Sequence, residues 1–213
     1  MEYILEWREY KKTKSNYTKR ISISKIQLED ICDKLSLSSN IKFLSSGMYG
    51  NAYKIDDNRV LKITTDKTEA NSVSDLVEND SIVKYYSINQ YKLNNEFVYI
   101  IVMDYVLPIL DHTGAGYYEF ITLLCDTIYF HWGNLTRLSF DELVEEVYHL
   151  DKLSKLGKEL IDKFWILYNN LQYLDKCPDL HYGNLGIDES GNIKLFDFND
   201  LKRVNKFNKP NII

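Results

Sequence analysis

A hairpin signature near the C-terminal end constrains this chain most. Leu185-Gly186-Ile187 and Ile193-Lys194-Leu195-Phe196 are short apolar runs, and Glu189-Ser190-Gly191-Asn192 between them has turn composition. A tight hairpin returns the chain on itself. It therefore brings Asn184, just before the first run, to Asp197, just after the second and thirteen residues on. An amide oxygen and a carboxylate placed in this way can meet at one metal, and both are hard oxygen donors of the kind Mg²⁺ takes. A further carboxylate, Asp179, precedes them in the run Asp179-Leu180-His181-Tyr182-Gly183-Asn184.

The 213 residues are 45% hydrophobic and 27% charged, an ordinary globular composition and enough for one large domain or two small lobes. A net charge of −5 and a pI near 5.4 argue against non-specific binding to nucleic acid or membranes. The basic stretch from Tyr10 to Arg20 reads as a solvated helix face or mobile segment in preference to a nucleic-acid arm. Cys32, Cys125 and Cys177 are widely spaced and odd in number, with neither a zinc-type CxxC pair nor a disulfide framework. The start, Met1-Glu2-Tyr3-Ile4-Leu5-Glu6, lacks the basic-then-apolar pattern of a signal peptide. No stretch stays apolar for about 18 residues. The expectation is a cytoplasmic protein (host cytoplasm for a viral chain) with no membrane or nucleic-acid partner.

Residues 1–40 read as helix, basic loop and second helix. Ser24 and Gln27 have capping-box spacing, ahead of the helical period Ile26, Leu28, Ile31, Leu35. The period then changes. Strands are expected at 41–44, 52–55 and 59–63, with a glycine turn at 45–50 and a hairpin turn at Asp56-Asp57-Asn58. Residues 66–79 look helical. Lys84 to Ile88 and Phe97 to Met103 look like a strand pair joined at Asn94-Asn95. Beyond Val106 the pattern turns helical, with candidates at Tyr117 to Tyr129 and Phe140 to Tyr173, the latter long enough for two helices.

Several of these segments, in this order, resemble the signatures of the protein-kinase-like superfamily over about residues 41–200. Leu44-Ser45-Ser46-Gly47-Met48-Tyr49-Gly50-Asn51-Ala52-Tyr53 is similar to the glycine-rich loop over ATP. Gly47 and Gly50 match its second and third glycines, Tyr49 its aromatic tip, and Ser45 replaces its first glycine. Alone, the segment reads equally as a simple hairpin turn. Val60-Leu61-Lys62 resembles the strand that carries the phosphate-anchoring lysine. In isolation Lys62 reads as an exposed-face residue, but after a glycine hairpin it becomes the ligand candidate, and a lysine in an apolar strand is costly unless paired. Glu69 and Glu78 are both candidate partners; the compact bacterial and viral members favour Glu69. Tyr99-Ile100-Ile101-Val102-Met103-Asp104-Tyr105-Val106 resembles the hinge, with Met103 beside the adenine and the backbone of Asp104 and Val106 bonding its edge.

The resemblance implies an α+β, two-lobed fold. A small antiparallel-sheet N-lobe with hinge takes residues 41–106, after an N-terminal helical extension at 1–40. A reduced helical C-lobe with the catalytic loop takes 107–213. It also implies ATP and Mg²⁺ as cofactors, Asp179 as the base that receives the acceptor's proton, and Asn184 and Asp197 as metal ligands. Departures are plain: Cys177-Pro178 stands where His-Arg is usual, His181 where Lys or Arg is usual, and Asn199 where glycine follows Asp-Phe. Sixteen residues follow Asp197, with no Ala-Pro-Glu segment and none of the helices that dock peptide substrates. The aromatic groups Tyr117-Tyr118 and Tyr129-Phe130-His131-Trp132 read as core before substrate site. The implied function is an ATP- and Mg²⁺-dependent phosphotransferase acting on protein Ser/Thr hydroxyls. A small-molecule hydroxyl acceptor, or a silent nucleotide-binding pseudokinase, are the alternatives.

Overall fold

Five strands account for most of residues 42–104: β1 (Lys42–Ser46), β2 (Gly50–Lys54), β3 (Arg59–Thr64), β4 (Tyr85–Leu93) and β5 (Glu96–Asp104). They form an antiparallel sheet in the order β1-β2-β3-β5-β4. The computed structural model describes residues 21–38, 40–47, 49–74, 76, 79–130, 153–172, 180, 182–198 and 211–212. The fold is mixed α+β. The chain divides into two compact units, one of residues 2–78, 84–105 and 203–213, the other of 79–83 and 106–202.

In the sheet unit the turns follow from local chemistry. Asp56 closes the β2–β3 turn by accepting from the Asn58 N–H at 3.0 Å and the Arg59 guanidinium at 2.6 Å. Asn94 and Asn95 join β4 to β5 with φ of 47° and 68°, a left-handed pair that asparagine tolerates and a two-residue hairpin needs. β4 runs to Leu93, beyond the expected Ile88. The polar Asn89-Gln90 interrupts its apolar pattern but not its ladder, where the two residues pair with Ile100 and Tyr99.

One face of the sheet is closed by α1 (Lys25–Lys34). Its capping box is complete: Gln27 N–H donates to Ser24 Oγ at 3.2 Å, and Ser24 N–H donates to Gln27 Oε1 at 2.9 Å. The same Gln27 reaches Asn94 Oδ1 at 3.2 Å, fixing the helix start to the β4–β5 turn. Ile31 packs with Tyr53, Ile55, Leu61, Ile63, Val98, Ile100 and Val102, with Leu28 and Leu35 alongside. Within the stretch read as an N-terminal extension, α1 thus belongs to the core of the sheet unit, while residues 1–20 lie outside the described residues. Tyr91 OH donates to Asp30 Oδ2 at 2.5 Å. That bond holds the Asp30 carboxyl below its usual value and pushes the Tyr91 phenol up to about 12.

α2 (Lys67–Ser74) is shorter than the expected 66–79. Its serines turn their hydroxyls back on the helix, Ser72 to Thr68 O and Ser74 to Asn71 O, both at 2.8 Å; such bonds favour ending a helix over extending it.

The second unit opens with β6 (Leu107–Pro108) and a 3-10 turn at Ile109–Asp111, followed by α3 (Ala115–Phe130) and α4 (Lys155–Gln172). α4 buries Leu160, Ile161, Phe164, Leu167, Tyr168 and Leu171, a helical stripe. Phe164 meets Phe120 of α3 edge-on at 5.8 Å. Glu119 of α3 accepts from the N–H and hydroxyl of Ser154 at 2.9 and 2.6 Å, and Ser154 in turn accepts from Gly157 N–H at 3.1 Å, capping α4. The expected first helix of the 140–173 stretch falls on residues outside the described set. β7 (Leu185–Ile187) and β8 (Ile193–Leu195) form the expected hairpin, with β6 on the far side of β7. A last strand, β9 (Asn211–Ile212), pairs in parallel with Asn89 and Gln90 of β4. Among the described residues, no helix is long and apolar enough to cross a membrane.

Candidate functional site

Strand alternation sorts the sheet residues onto two faces. Leu61, Ile63, Ile100 and Val102 take the face covered by α1. Val60, Lys62 and Thr64 take the other, and the register sets them across from Met103, Ile101 and Tyr99 of β5 and from Lys54, Ala52 and Gly50 of β2. Gly50, Ala52, Val60, Lys62 and Met103 therefore share one face. Ala52 was not singled out in the sequence, although its place two residues after Gly50 puts it on that face.

Lys62 Nζ lies 2.5 Å from Glu69 Oε1, with side-chain exposures of 17% and 4%. Glu69 is the α2 candidate; Glu78 lies outside the described residues. The aim of Glu69 starts one turn earlier. Asp66 Oδ1 accepts from the N–H groups of Thr68 and Glu69 at 2.8 and 3.2 Å, and Thr64 Oγ1 accepts from Asp66 N–H at 3.0 Å. Asp66 thus caps α2 straight off the end of β3. The Asp-x-x-Glu spacing was the available signal for it. A largely buried lysine with its carboxylate held in place keeps its charge at modest cost, whereas either partner alone carries the full desolvation penalty.

The two glycines of the β1–β2 turn differ in kind. A Cβ on Gly50 would overlap the carbonyl oxygen of Ile63 and lie 2.9 Å from Thr64 Cα. Pairing with β3 alone therefore requires glycine there. Among the described residues, a Cβ on Gly47 would meet only Gly50 O, at 3.8 Å, so none of them imposes a steric need of glycine at 47. Gly47 N–H donates to Gly50 O at 2.8 Å, and Tyr49, half-exposed, has its carbonyl held by the N–H and hydroxyl of Thr65 at 2.8 and 3.1 Å. Both ends of the turn are thus held by hydrogen bonds.

At the end of β5, Asp104 N–H is committed to Lys84 O at 2.9 Å. The Asp104 carboxylate accepts from Tyr86 OH at 2.6 Å and from Lys84 N–H at 3.2 Å, and that carboxylate raises the Tyr86 phenol above its usual value. Val106 belongs to the second unit, where its side chain packs against the face of Gly186.

In that second unit, Leu185 pairs with Leu195, and Phe196 N–H donates to Asn184 O at 2.9 Å. Asn184 thus stands opposite Phe196, one residue from Asp197. Asn184 is 7% exposed and Asp197 is half-buried. Both sit at the open end of the hairpin, and an amide with a carboxylate is a donor set that suits Mg²⁺. Among the described residues no group of three or more His, Cys, Asp or Glu side chains gathers. Asp179, His181, Cys177, Pro178 and Asn199 lie outside the described residues. Neither a family model nor a curated protein matches the chain.

Proposed function

We propose that this chain is a two-lobed, kinase-like phosphotransferase that uses ATP and Mg²⁺ to phosphorylate protein Ser/Thr hydroxyls. The observation that carries the reading is the Lys62–Glu69 pair, at 2.5 Å and largely buried, on the same sheet face as Ala52, Val60 and Met103. A largely apolar face on which Lys62 is held against a carboxylate suits a flat base beside a polyphosphate, and Gly47, where among the described residues a Cβ would meet only Gly50 O, suits phosphate oxygens approaching backbone. When bound, ATP supplies the transferred phosphoryl group and Mg²⁺ neutralises part of its charge.

The chain's own residues then have separable tasks. Lys62, kept in place by Glu69, offsets phosphate charge. Met103 and the backbone of Asp104 and Val106 position the base. Asn184 and Asp197 hold the metal. Asp179 orients the acceptor hydroxyl and takes its proton. Phosphoryl transfer asks mainly for such positioning and charge neutralisation.

The test is transfer of label from ATP to a generic protein acceptor with Mg²⁺, run beside Asp197→Ala and Lys62→Ala. Label on protein with the wild type alone is the expected result. ATP turnover that leaves protein unlabelled would move the acceptor to a small-molecule hydroxyl. Wild-type protein that binds no ATP overturns the reading.

A further inference from the structure

β8 is three residues long, and β7 pairs with it over only three positions. A two-stranded hairpin this short is marginal on its own. Its free edge, however, is closed by residues far away in sequence. Leu195 N–H donates to Ser81 O at 2.9 Å, and Val83 N–H donates to Leu195 O at 3.0 Å, with Ile82 bridging Leu195 in parallel. Lys194 Nζ donates to Asp80 O. Segment 79–83 therefore acts as a further strand of this small sheet, within the same unit.

That segment is itself fastened by side chains. Ser81 is 3% exposed. Its N–H donates to Asn79 Oδ1 at 2.8 Å, and its Oγ accepts from Asn170 Nδ2 of α4 at 2.8 Å. α4 is an 18-residue helix anchored by the unit's apolar core. A continuous line of hydrogen bonds thus runs from α4 through Ser81 to Leu195, two residues before Asp197. Phe196, between them, reaches Asn184.

We propose that Asn170 and Ser81 are positioning residues for the Asn184–Asp197 pair: by fixing the register of β8 they set how the two metal-ligand side chains face each other, so an amide on α4 that touches neither metal nor nucleotide tunes divalent-cation affinity. This rests on the phosphotransferase reading. The side-chain link carries the effect because the segment's backbone pairs with β8 at Leu195, so the Asn170–Ser81 bond, together with Lys194 on Asp80 O, fixes where that pairing lies. Supporting shells of this kind around a metal typically contribute about 10- to 100-fold in affinity.

The probe is Mn²⁺, titrated by electron paramagnetic resonance in the presence of the β,γ-imido analogue of ATP. Wild-type protein is expected to bind Mn²⁺, and Asp197→Ala to abolish it. Asn170→Leu and, more gently, Ser81→Ala should each weaken Mn²⁺ by about 10-fold or more and speed amide exchange at Leu195 and Val83. Affinity for the metal-free nucleotide should stay unchanged. The double variant Asn170→Leu/Ser81→Ala removes the stranded partner and should recover thermal stability, yet keep the weakened Mn²⁺ affinity; a purely structural role would restore both. If Asp197→Ala abolishes Mn²⁺ binding while the Ser81 and Asn170 variants bind as the wild type does, the positioning role is wrong and the phosphotransferase reading stands. If the wild type itself takes up no Mn²⁺, both fall.

Discussion

Lys62 and Asp197 are held by opposite means. Lys62 sits mid-strand, with ladders to β2 and β5 on both sides and its charge answered by a carboxylate at 2.5 Å. Asp197 follows Phe196, whose N–H donates to Asn184 O, two residues past the end of a three-residue strand and half-buried at a bend. In the sheet unit, the groups proposed for function are also part of what keeps the unit folded. In the hairpin unit, the chemistry stands at the end of a short element whose place is set by neighbours. Substitutions in the Lys62–Glu69 pair should therefore damage fold and function together, and substitution of Asp197 should separate them.

The harshest way to break that contrast is Gly50→Ala. The new methyl has nowhere to go but into the backbone of β3, so the sheet unit should lose more than about 3 kcal/mol, beyond the usual cost of overpacking, or fail to fold. Urea denaturation measures it, and a near-native midpoint would show that the turn yields. Next comes Glu69→Ala, which removes the carboxylate 2.5 Å from the largely buried Lys62 Nζ. It should cost about 3 kcal/mol, whereas Lys62→Met with Glu69→Leu should stay within about 1 kcal/mol of wild type. Asp197→Ala, by contrast, two residues past the end of a short strand, should cost less than Glu69→Ala. Equal losses for Glu69→Ala and Asp197→Ala would erase the contrast.

A smaller effect tests the opposite face of the sheet through pH. The Tyr91 phenol is pushed up to about 12 by its bond to Asp30, so the folded state holds a proton that the unfolded chain releases near 10. This contribution is complete below pH 10 and is lost as pH rises towards 12. For Asp30 the shift is downward, so its share is present above the ordinary carboxylate range and lost as pH falls below it. Tyr91→Phe should flatten the alkaline decline measured by thermal melts across pH 9–12, and an unchanged slope would remove Tyr91 from the account. Least disruptive to the fold is Gly47→Ala, which should change stability by less than about 0.5 kcal/mol while weakening ATP binding measured by calorimetry. Unaltered affinity would mean that phosphates do not approach Gly47.

Local chemistry was legible in the sequence and distant pairing was not. Ser24 and Gln27 announced the start of α1 because a capping box is complete within four residues. Lys62 and Glu69 were readable only through the resemblance, since in isolation Lys62 reads as an exposed-face residue and Glu78 was a second candidate partner. Asn184 and Asp197 were readable as the two ends of a hairpin. The length of β4 was not, since Asn89-Gln90 looks like loop composition and is kept extended only by its pairing with β5. Nor was the pairing of Ser81 with Leu195, which spans more than half the chain and leaves no periodic trace in a segment of five residues. The reason for Gly50 was also hidden: as a sequence symbol it is the same as Gly47, and only the carbonyl of Ile63 tells them apart.

The most direct measurement is methyl NMR of the protein with Mg²⁺ during an ATP titration. If nucleotide lies on the Lys62 face, the methyls of Ala52, Val60, Ile101 and Met103 shift, while those of Leu61, Ile63, Ile100 and Val102 beneath α1 stay put. Shifts confined to the α1 face, or none on either face at saturating ATP, would contradict the account.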